Sequence, residues 1–163
     1  MGMKAFDWRT NTTVISGYGY DQIVLNGWGK GEDVFQFERR TPGVSDEMGV
    51  DGEMTASVSA DNSVKVVWKF SQLSPMNSIL SKMFNRQQAV GELSGITMGW
   101  QDARRRDYAS TTVGYIENHT PVKRGGKANE TEWTLIFASG VIDLGDPSFA
   151  GTPAAIAELL GAV

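Results

Sequence analysis

Apolar and polar residues alternate along most of this chain with the period of two expected of a β-strand, interrupted by one stretch with the spacing of a helix. Thr13-Val14-Ile15-Ser16 is a short β-prone run, followed by Gly17 and Gly19 and then by Ile23-Val24-Leu25. Asn26-Gly27 is a strong turn dipeptide. A strand resumes at Asp33, with Phe35, Phe37 and Arg39 on one face and Val34, Gln36, Glu38 and Arg40 on the other. Met54, Ala56, Val58 and Ala60 alternate with Glu53, Thr55, Ser57 and Ser59, which predicts a half-buried strand. After a turn at Asp61-Asn62, Val64, Val66, Trp68 and Phe70 alternate with Lys65, Val67 and Lys69, so the two runs are expected to form a hairpin. Further strands are expected over Leu93–Trp100, Tyr108–Glu117 and Glu132–Ser139, the last with Trp133, Leu135 and Phe137 on one side.

The helical stretch begins at Ser74, a capping residue, and Pro75, whose missing N–H is an orphan donor in the first turn anyway. Met76, Ile79, Leu80, Met83 and Phe84 fall at i, i+3, i+4, i+7 and i+8, one face of an α-helix running from 75 to about Gln88, with Gly91 beyond its end. Pro153–Leu160 reads as a short terminal helix. Strands, then one helix, then strands favour a mainly β fold, an antiparallel sandwich or barrel with one flanking helix, over a doubly wound sheet. Two segments have no sustained period. Thr41–Gly52 holds Pro42, Gly43, Gly49 and Gly52, and Pro121–Asn129 is a basic, glycine-containing loop.

At 163 residues, with 40% hydrophobic and 21% charged residues, the chain suits a single domain spanning 1–163 with a proper core. Nineteen glycines fit a chain rich in turns. The net charge of −4 and an isoelectric point near 5.0 argue against a duplex-binding domain, which draws much of its affinity from releasing phosphate counterions. There are no cysteines, so disulfides, thiolate metal sites and cysteine nucleophiles are excluded. Met1–Arg9 contains no apolar run suited to a signal peptide, and no stretch approaches the roughly 20 apolar residues of a membrane span, so a soluble chain made in a cytoplasm is expected.

The search for chemistry assigns no catalytic, cofactor-binding or metal-binding residue. Gly27-Trp28-Gly29-Lys30-Gly31 precedes an expected strand, whereas a phosphate cradle needs a helix N-terminus there. His119 is the single histidine, has no triad signature near it, and is expected on the surface or in a loop. Asp46, Glu47, Asp51 and Glu53 do not have the spacing of an EF-hand loop. Arg104-Arg105-Arg106 is the sharpest charge cluster, flanked by Asp102 and Asp107.

From about Thr13 to Gly145 the chain resembles the tail tube proteins of contractile-tailed bacteriophages. The resemblance rests on a Gly-rich first hairpin leading into Val34-Phe35-Gln36-Phe37-Glu38, then Gly49-Val50-Asp51-Gly52, and a helix start at Ser71-Gln72-Leu73-Ser74-Pro75-Met76-Asn77. Late in the chain, Trp133-Thr134 and Ile142-Asp143-Leu144-Gly145 complete it. The chain departs from the pattern in the basic stretch Met98–Asp107 and in a tail over 146–163. The resemblance implies hexameric rings stacked into a tube through which genomic DNA passes without specific binding. It also implies sheath, baseplate and tape-measure proteins as partners, no membrane, and a place in the virion tail after assembly in the host cytoplasm. Related tubes occur in bacteriocins and secretion systems. Within that reading Thr41–Gly52 is the expected stacking loop, mobile in the free subunit, with Thr41, Pro42, Val44, Met48, Val50 and Asp51 as its contact residues. Val44, Met48 and Val50 have no evident core to enter. Arg104, Arg105 and Arg106 are a candidate patch for the sheath or a neighbouring subunit. The chief rival reading is a β-sandwich module binding carbohydrate or protein, with Trp8, Trp28, Trp100 and Tyr18 as an aromatic platform; a tube subunit of a bacteriocin or secretion system is the alternative within the structural class.

Overall fold

The computed structural model describes residues 11–25, 34–91, 93, 95–102 and 107–145. They form eleven strands and one helix, in the order β1 (Asn11–Gly17), β2 (Tyr20–Leu25), β3 (Phe35–Arg39), β4 (Val44–Met48), β5 (Met54–Val58), β6 (Val64–Ser71), α1 (Pro75–Val90), β7 (Ile96–Asp102), β8 (Asp107–Thr111), β9 (Gly114–His119), β10 (Glu130–Phe137) and β11 (Gly140–Asp143). Nine strands join one antiparallel sheet in which β11-β8-β7-β9-β10-β6-β3 are neighbours and the β1–β2 hairpin attaches to β7. The sheet branches at β7: β1 runs along one edge, while the other edge meets β8 over Gly99–Asp102 and β9 at Ile96↔Gly114. The mainly β antiparallel class with one helix is therefore correct, realised as an open sheet. The strands β2, β3 and β11 each have a single neighbour among the described residues.

The core grows from the β6–β10 ladder. Its register sets Val64 opposite Phe137, Val66 opposite Leu135 and Trp68 opposite Trp133, so these side chains share a face, and all are buried. Phe35 and Phe37 of β3 stand opposite Trp68 and Val66. The rings of Phe35 and Trp68 lie 4.8 Å apart, and Trp68 stacks on Phe70 at 5.3 Å. Ile15 and Leu25 from β1 and β2, Ile96 and Met98 from β7, and Ile116 from β9 close the same core.

Helix α1 forms where the periodicity placed it. Ser74 is extended (φ −67°, ψ 132°), and its hydroxyl accepts from the Met76 N–H at 3.1 Å. Gly91 ends the helix at φ 72°, a left-handed conformation that glycine adopts without a Cβ penalty, with its N–H donating to the Gln87 carbonyl. Leu80 and Met83 are buried and Met76, Ile79 and Phe84 pack against the core, as the stripe requires. Polar side chains then pin the helix to the sheet. Asn77 Nδ2 donates to the Ser71 carbonyl (2.8 Å) while its Oδ1 accepts from Trp133 Nε1 (3.0 Å). The buried Gln87 amide spans both backbone groups of Ile116, donating to its carbonyl (2.9 Å) and accepting from its N–H (3.0 Å). Arg86 Nη1 reaches the Tyr18 carbonyl in the β1–β2 turn (2.9 Å).

Several expectations require correction. Met54–Val58 is a strand, but it pairs with β4 and not with β6, and every one of its residues is exposed. β6 is already flanked by β3 and β10, so no edge is left for β5. Thr41–Gly52 is not irregular throughout, because β4 lies within it. The expected strand Tyr108–Glu117 is two strands, divided at Thr112-Val113 where Thr112 N–H and hydroxyl bond to Ser139. His119 is half-buried at the end of β9, with its ring 4.9 Å from Trp133 and 5.8 Å from Phe84, and its Nδ1–H donates to the Thr120 carbonyl. The glycine-rich stretch 27–31 and the terminal helix 153–160 lie outside the described residues.

Candidate assembly site

The chain between Arg39 and Val64 leaves the sheet as an arm. β4 and β5 pair in the register Val44↔Val58, Ser45↔Ser57, Asp46↔Ala56, Glu47↔Thr55 and Met48↔Met54. Opposed residues in an antiparallel pair share a face. One face of the arm is thus Val44, Val58, Asp46, Ala56, Met48 and Met54, and the other is Ser45, Ser57, Glu47 and Thr55. Strands of five residues extend about 17 Å. Neither face is covered: Val58 is 84% exposed, and Val44, Met48 and Met54 are exposed with it. At the tip, Gly49 N–H donates to the Glu53 carbonyl (2.7 Å), Asp51 Oδ1 accepts from the Glu53 N–H (3.2 Å), and Gly52 supplies a positive φ of 87°. Val50 stands fully in solvent at the apex.

The root of the arm is clamped. Ser59 N–H donates to the Gly43 carbonyl (2.9 Å), and Arg40 N–H to Ser63 (3.1 Å). Asp61 takes the Thr41 hydroxyl on Oδ2 (2.5 Å) and the Ser63 N–H on Oδ1 (2.9 Å). Arg39 Nη2 adds bonds to the Asp61 carbonyl (3.3 Å) and Asn62 Oδ1 (3.0 Å). Hydrogen bonds from the Ser63 hydroxyl first, then from Thr41 and the Ser63 backbone, favour the ionised carboxylate and hold the Asp61 pKa down to about 2. The expected turn at Asp61-Asn62 is therefore an anchor for the arm rather than the bend of a hairpin.

The structure brings Val44, Met48, Val50 and Asp51 together on this arm, and places Thr41 in its clamp beside Pro42. Met54, Ala56 and Val58 complete the apolar face. Their alternation was legible, but it reads equally well as a strand packed on its own core. Among the described residues no group of three or more His, Asp or Glu side chains could hold a metal ion, so Asp46, Glu47, Asp51 and Glu53 do not converge. Arg104, Arg105 and Arg106 lie outside the described residues, as do Trp8 and Trp28. Trp100 is half-buried and stacked on Phe35 at 5.1 Å, and Tyr18 lies against Gly95. Another unpaired edge is that of β11, where Val141, Ile142 and Leu144 are exposed beside Tyr108 of β8.

An arm without a core of its own and open sheet edges are features of a chain built to associate, and the wider sequence agrees. Residues 3–145 match the Bacteriophage PhiTE tail tube protein family. The chain belongs to that family. It is accordingly a structural component of a phage tail. No curated protein sequence matches the chain. Among solved structures it is similar to a chain of the anti-feeding prophage cap, described as a tube-terminating cap and determined by cryo-EM. That likeness has a TM-score of 0.52 at 8% identity, covering 89% of this chain and 94% of that one, and is a likeness of fold.

Proposed function

We propose that the chain is the repeating subunit of a phage tail tube, closing into hexameric rings that stack into a hollow conduit for DNA. The observation that carries this reading is the arm: an amphipathic hairpin held at a fixed root with an apolar face that its own chain leaves in water. An uncovered apolar face marks an interaction surface. Ring closure and ring stacking are two head-to-tail contacts, one closing and one open-ended, and they need separate surfaces. The arm serves the open-ended contact. The edges of β2, β3 and β11 serve ring closure by strand pairing, which also removes the aggregation hazard of an apolar edge such as β11. Sheath, baseplate and tape-measure proteins are the remaining partners, with Arg104, Arg105 and Arg106 as the candidate outer patch. A lumen without a basic excess would let DNA slide instead of holding it by counterion release.

The test is negative-stain electron microscopy of the purified chain and of a variant with residues 44–58 replaced by a short Gly-Ser turn. The full chain is expected to form rings and tubes, and the variant to fold and form rings that do not elongate. Normal tubes from the variant would remove the arm from stacking; a full chain that stays monomeric even on a baseplate extract would remove the tube reading itself.

A further inference from the structure

A stacking arm needs a receptor, and the opposite end of the subunit carries a loop of opposite charge. Arg39 pairs with Val64, so the arm leaves at the Val64 end of β6. Glu130 pairs with Ser71, so the loop joining β9 to β10, residues 120–129, lies at the other end of the same strand. Eight strand residues separate the two by about 24 Å. The segment Thr41–Ser63 carries Asp46, Glu47, Asp51, Glu53 and Asp61 and no Lys or Arg, the cations Arg39 and Arg40 of the root lying just before it. The loop carries Lys123, Arg124 and Lys127 and no Asp or Glu before Glu130. All three cations are exposed, and none is ion-paired among the described residues. Apolar residues accompany the charges at both ends. Val50 crowns the arm, while Val122 is 63% and Leu73 69% exposed at the loop end. Gln72 N–H donates to the Asn129 carbonyl (2.9 Å), which ties the segment bearing Leu73 to the loop.

We infer that the receptor of the arm is the 121–129 loop of a second copy of this chain in the next ring, an assignment that rests on the tube reading above. The tip of the arm, with Val50 beside Asp51 and Glu53, meets Val122 and Leu73 within the ring of cations formed by Lys123, Arg124 and Lys127. Beneath the loop is an open cleft of about 320 Å³ lined by Thr120, Pro121, Lys123, Asn129, Glu130 and Glu132, wide enough to admit an aliphatic side chain. Its two carboxylates, Glu130 and Glu132, belong to the β10 strand, whereas the three cations belong to the loop itself. The loop is closed at its neck by Thr120 N–H to Glu132 (3.0 Å) and by Asn129 Nδ2 to the Lys123 carbonyl (3.2 Å). A side chain added at Gly125 or Gly126, at its crown, would meet no atom within 4 Å, so the crown is open to a partner. Opposite signs at opposite ends make every subunit complementary to the next along one axis, and like ends repel, so stacking has a single polarity.

The experiment uses the full chain with K123E, R124E and K127E combined, alone and together with D51K and E53K. Loop reversal is expected to leave the thermal midpoint and ring formation unchanged and to shorten tubes at least tenfold; adding the arm reversal is expected to restore length. Wild-type elongation should also slow as salt is raised, because rim charges are screened beyond about 8 Å at physiological ionic strength. Tubes of normal length from the loop reversal overturn the assignment while leaving the tube reading intact. Normal tubes that retain less DNA overturn it too, and place the loop on the lumen wall. A wild-type chain that makes neither rings nor tubes sinks both. The chain has no cysteines, so V50C with V122C gives a second readout. Oxidised tubes of that double variant are expected to yield ladders of linked subunits, and equal linking by V50C alone, arm to arm, would overturn the proposal.

Discussion

Strands β5 and β6 carry the same signal and meet opposite fates. Met54, Ala56 and Val58 alternate with polar residues as regularly as Val64, Val66, Trp68 and Phe70 do. Yet β5 is exposed along its whole length, while β6 is buried on one face and at Val67 on the other. Composition is part of the difference: β6 brings two aromatic rings to its face and β5 brings none. Placement is the larger part. β6 is flanked on both sides, by β3 and β10, whereas β5 pairs only with β4, on an arm that no other described element pairs with. Alternation marks a face that has to be covered and says nothing of whose atoms cover it. In β6 the cover is intramolecular and the return is stability; in β5, under the proposed function, it would fall to another subunit and the return would be assembly.

The comparison is broken most forcefully in the core. Trp68→Ala removes a ring that touches Phe35 and Phe70 and lies opposite Trp133, and is expected to cost about 3–5 kcal/mol of subunit stability in denaturant unfolding. Gln87→Leu keeps the volume but strips both hydrogen bonds from the buried Ile116 backbone, at about 2–3 kcal/mol. Gly91→Ala forces a Cβ into a left-handed cap with φ 72°, for about 1 kcal/mol and a frayed end to the helix by hydrogen exchange. A Gln87 variant as stable as the parent would show that the helix does not depend on its polar pins.

The root of the arm gives a smaller, pH-dependent effect. Asp61 is held at about 2, below its ordinary 3.8, so its bonds help fix the arm at every pH above about 4 and are lost as pH falls from there through 2. Carboxyl-carbon NMR of the subunit should show Asp61 titrating near 2, and T41V should move that midpoint upward. A midpoint in the usual carboxylate range would mean that the clamp is open in solution.

Much of this fold was legible because the signals were local. Ser74, Pro75 and Gly91 delimit the helix by chemistry that acts within one turn, and the apolar stripe names the buried side. The β6 and β10 faces were legible for the same reason. Pairing was not, since it depends on which edges remain free: β3 and β10 occupy both sides of β6, and nothing in Met54–Val58 reveals that. The break at Thr112-Val113 depends on Ser139, distant in sequence. His119 was misplaced because its neighbours Phe84 and Trp133 come from other elements. Of the candidate site, the apolar residues Val44, Met48 and Val50 stood out for lacking a core. Their partners across the arm were hidden inside a strand that looked self-sufficient, and Asp61 looked like any turn residue.

The sharpest form of the comparison is a substitution with almost no effect on the subunit. Val58→Ser replaces a side chain that is already in water, so the unfolding free energy is expected to move by less than about 0.5 kcal/mol. The same change at a buried Val66 would cost several times more. In the tube the order reverses. If Val58 is desolvated against the next ring, its loss removes about 1.5–3 kcal/mol from each stacking contact, or roughly ten- to a hundredfold in the equilibrium constant per contact, compounded over every contact made when a ring adds. Tube length by electron microscopy and subunit stability by denaturant unfolding therefore separate the two kinds of apolar face. A Val58 variant that elongates like the parent would leave the arm's apolar face without a partner; one that unfolds early would show that β5 packs on its own chain after all.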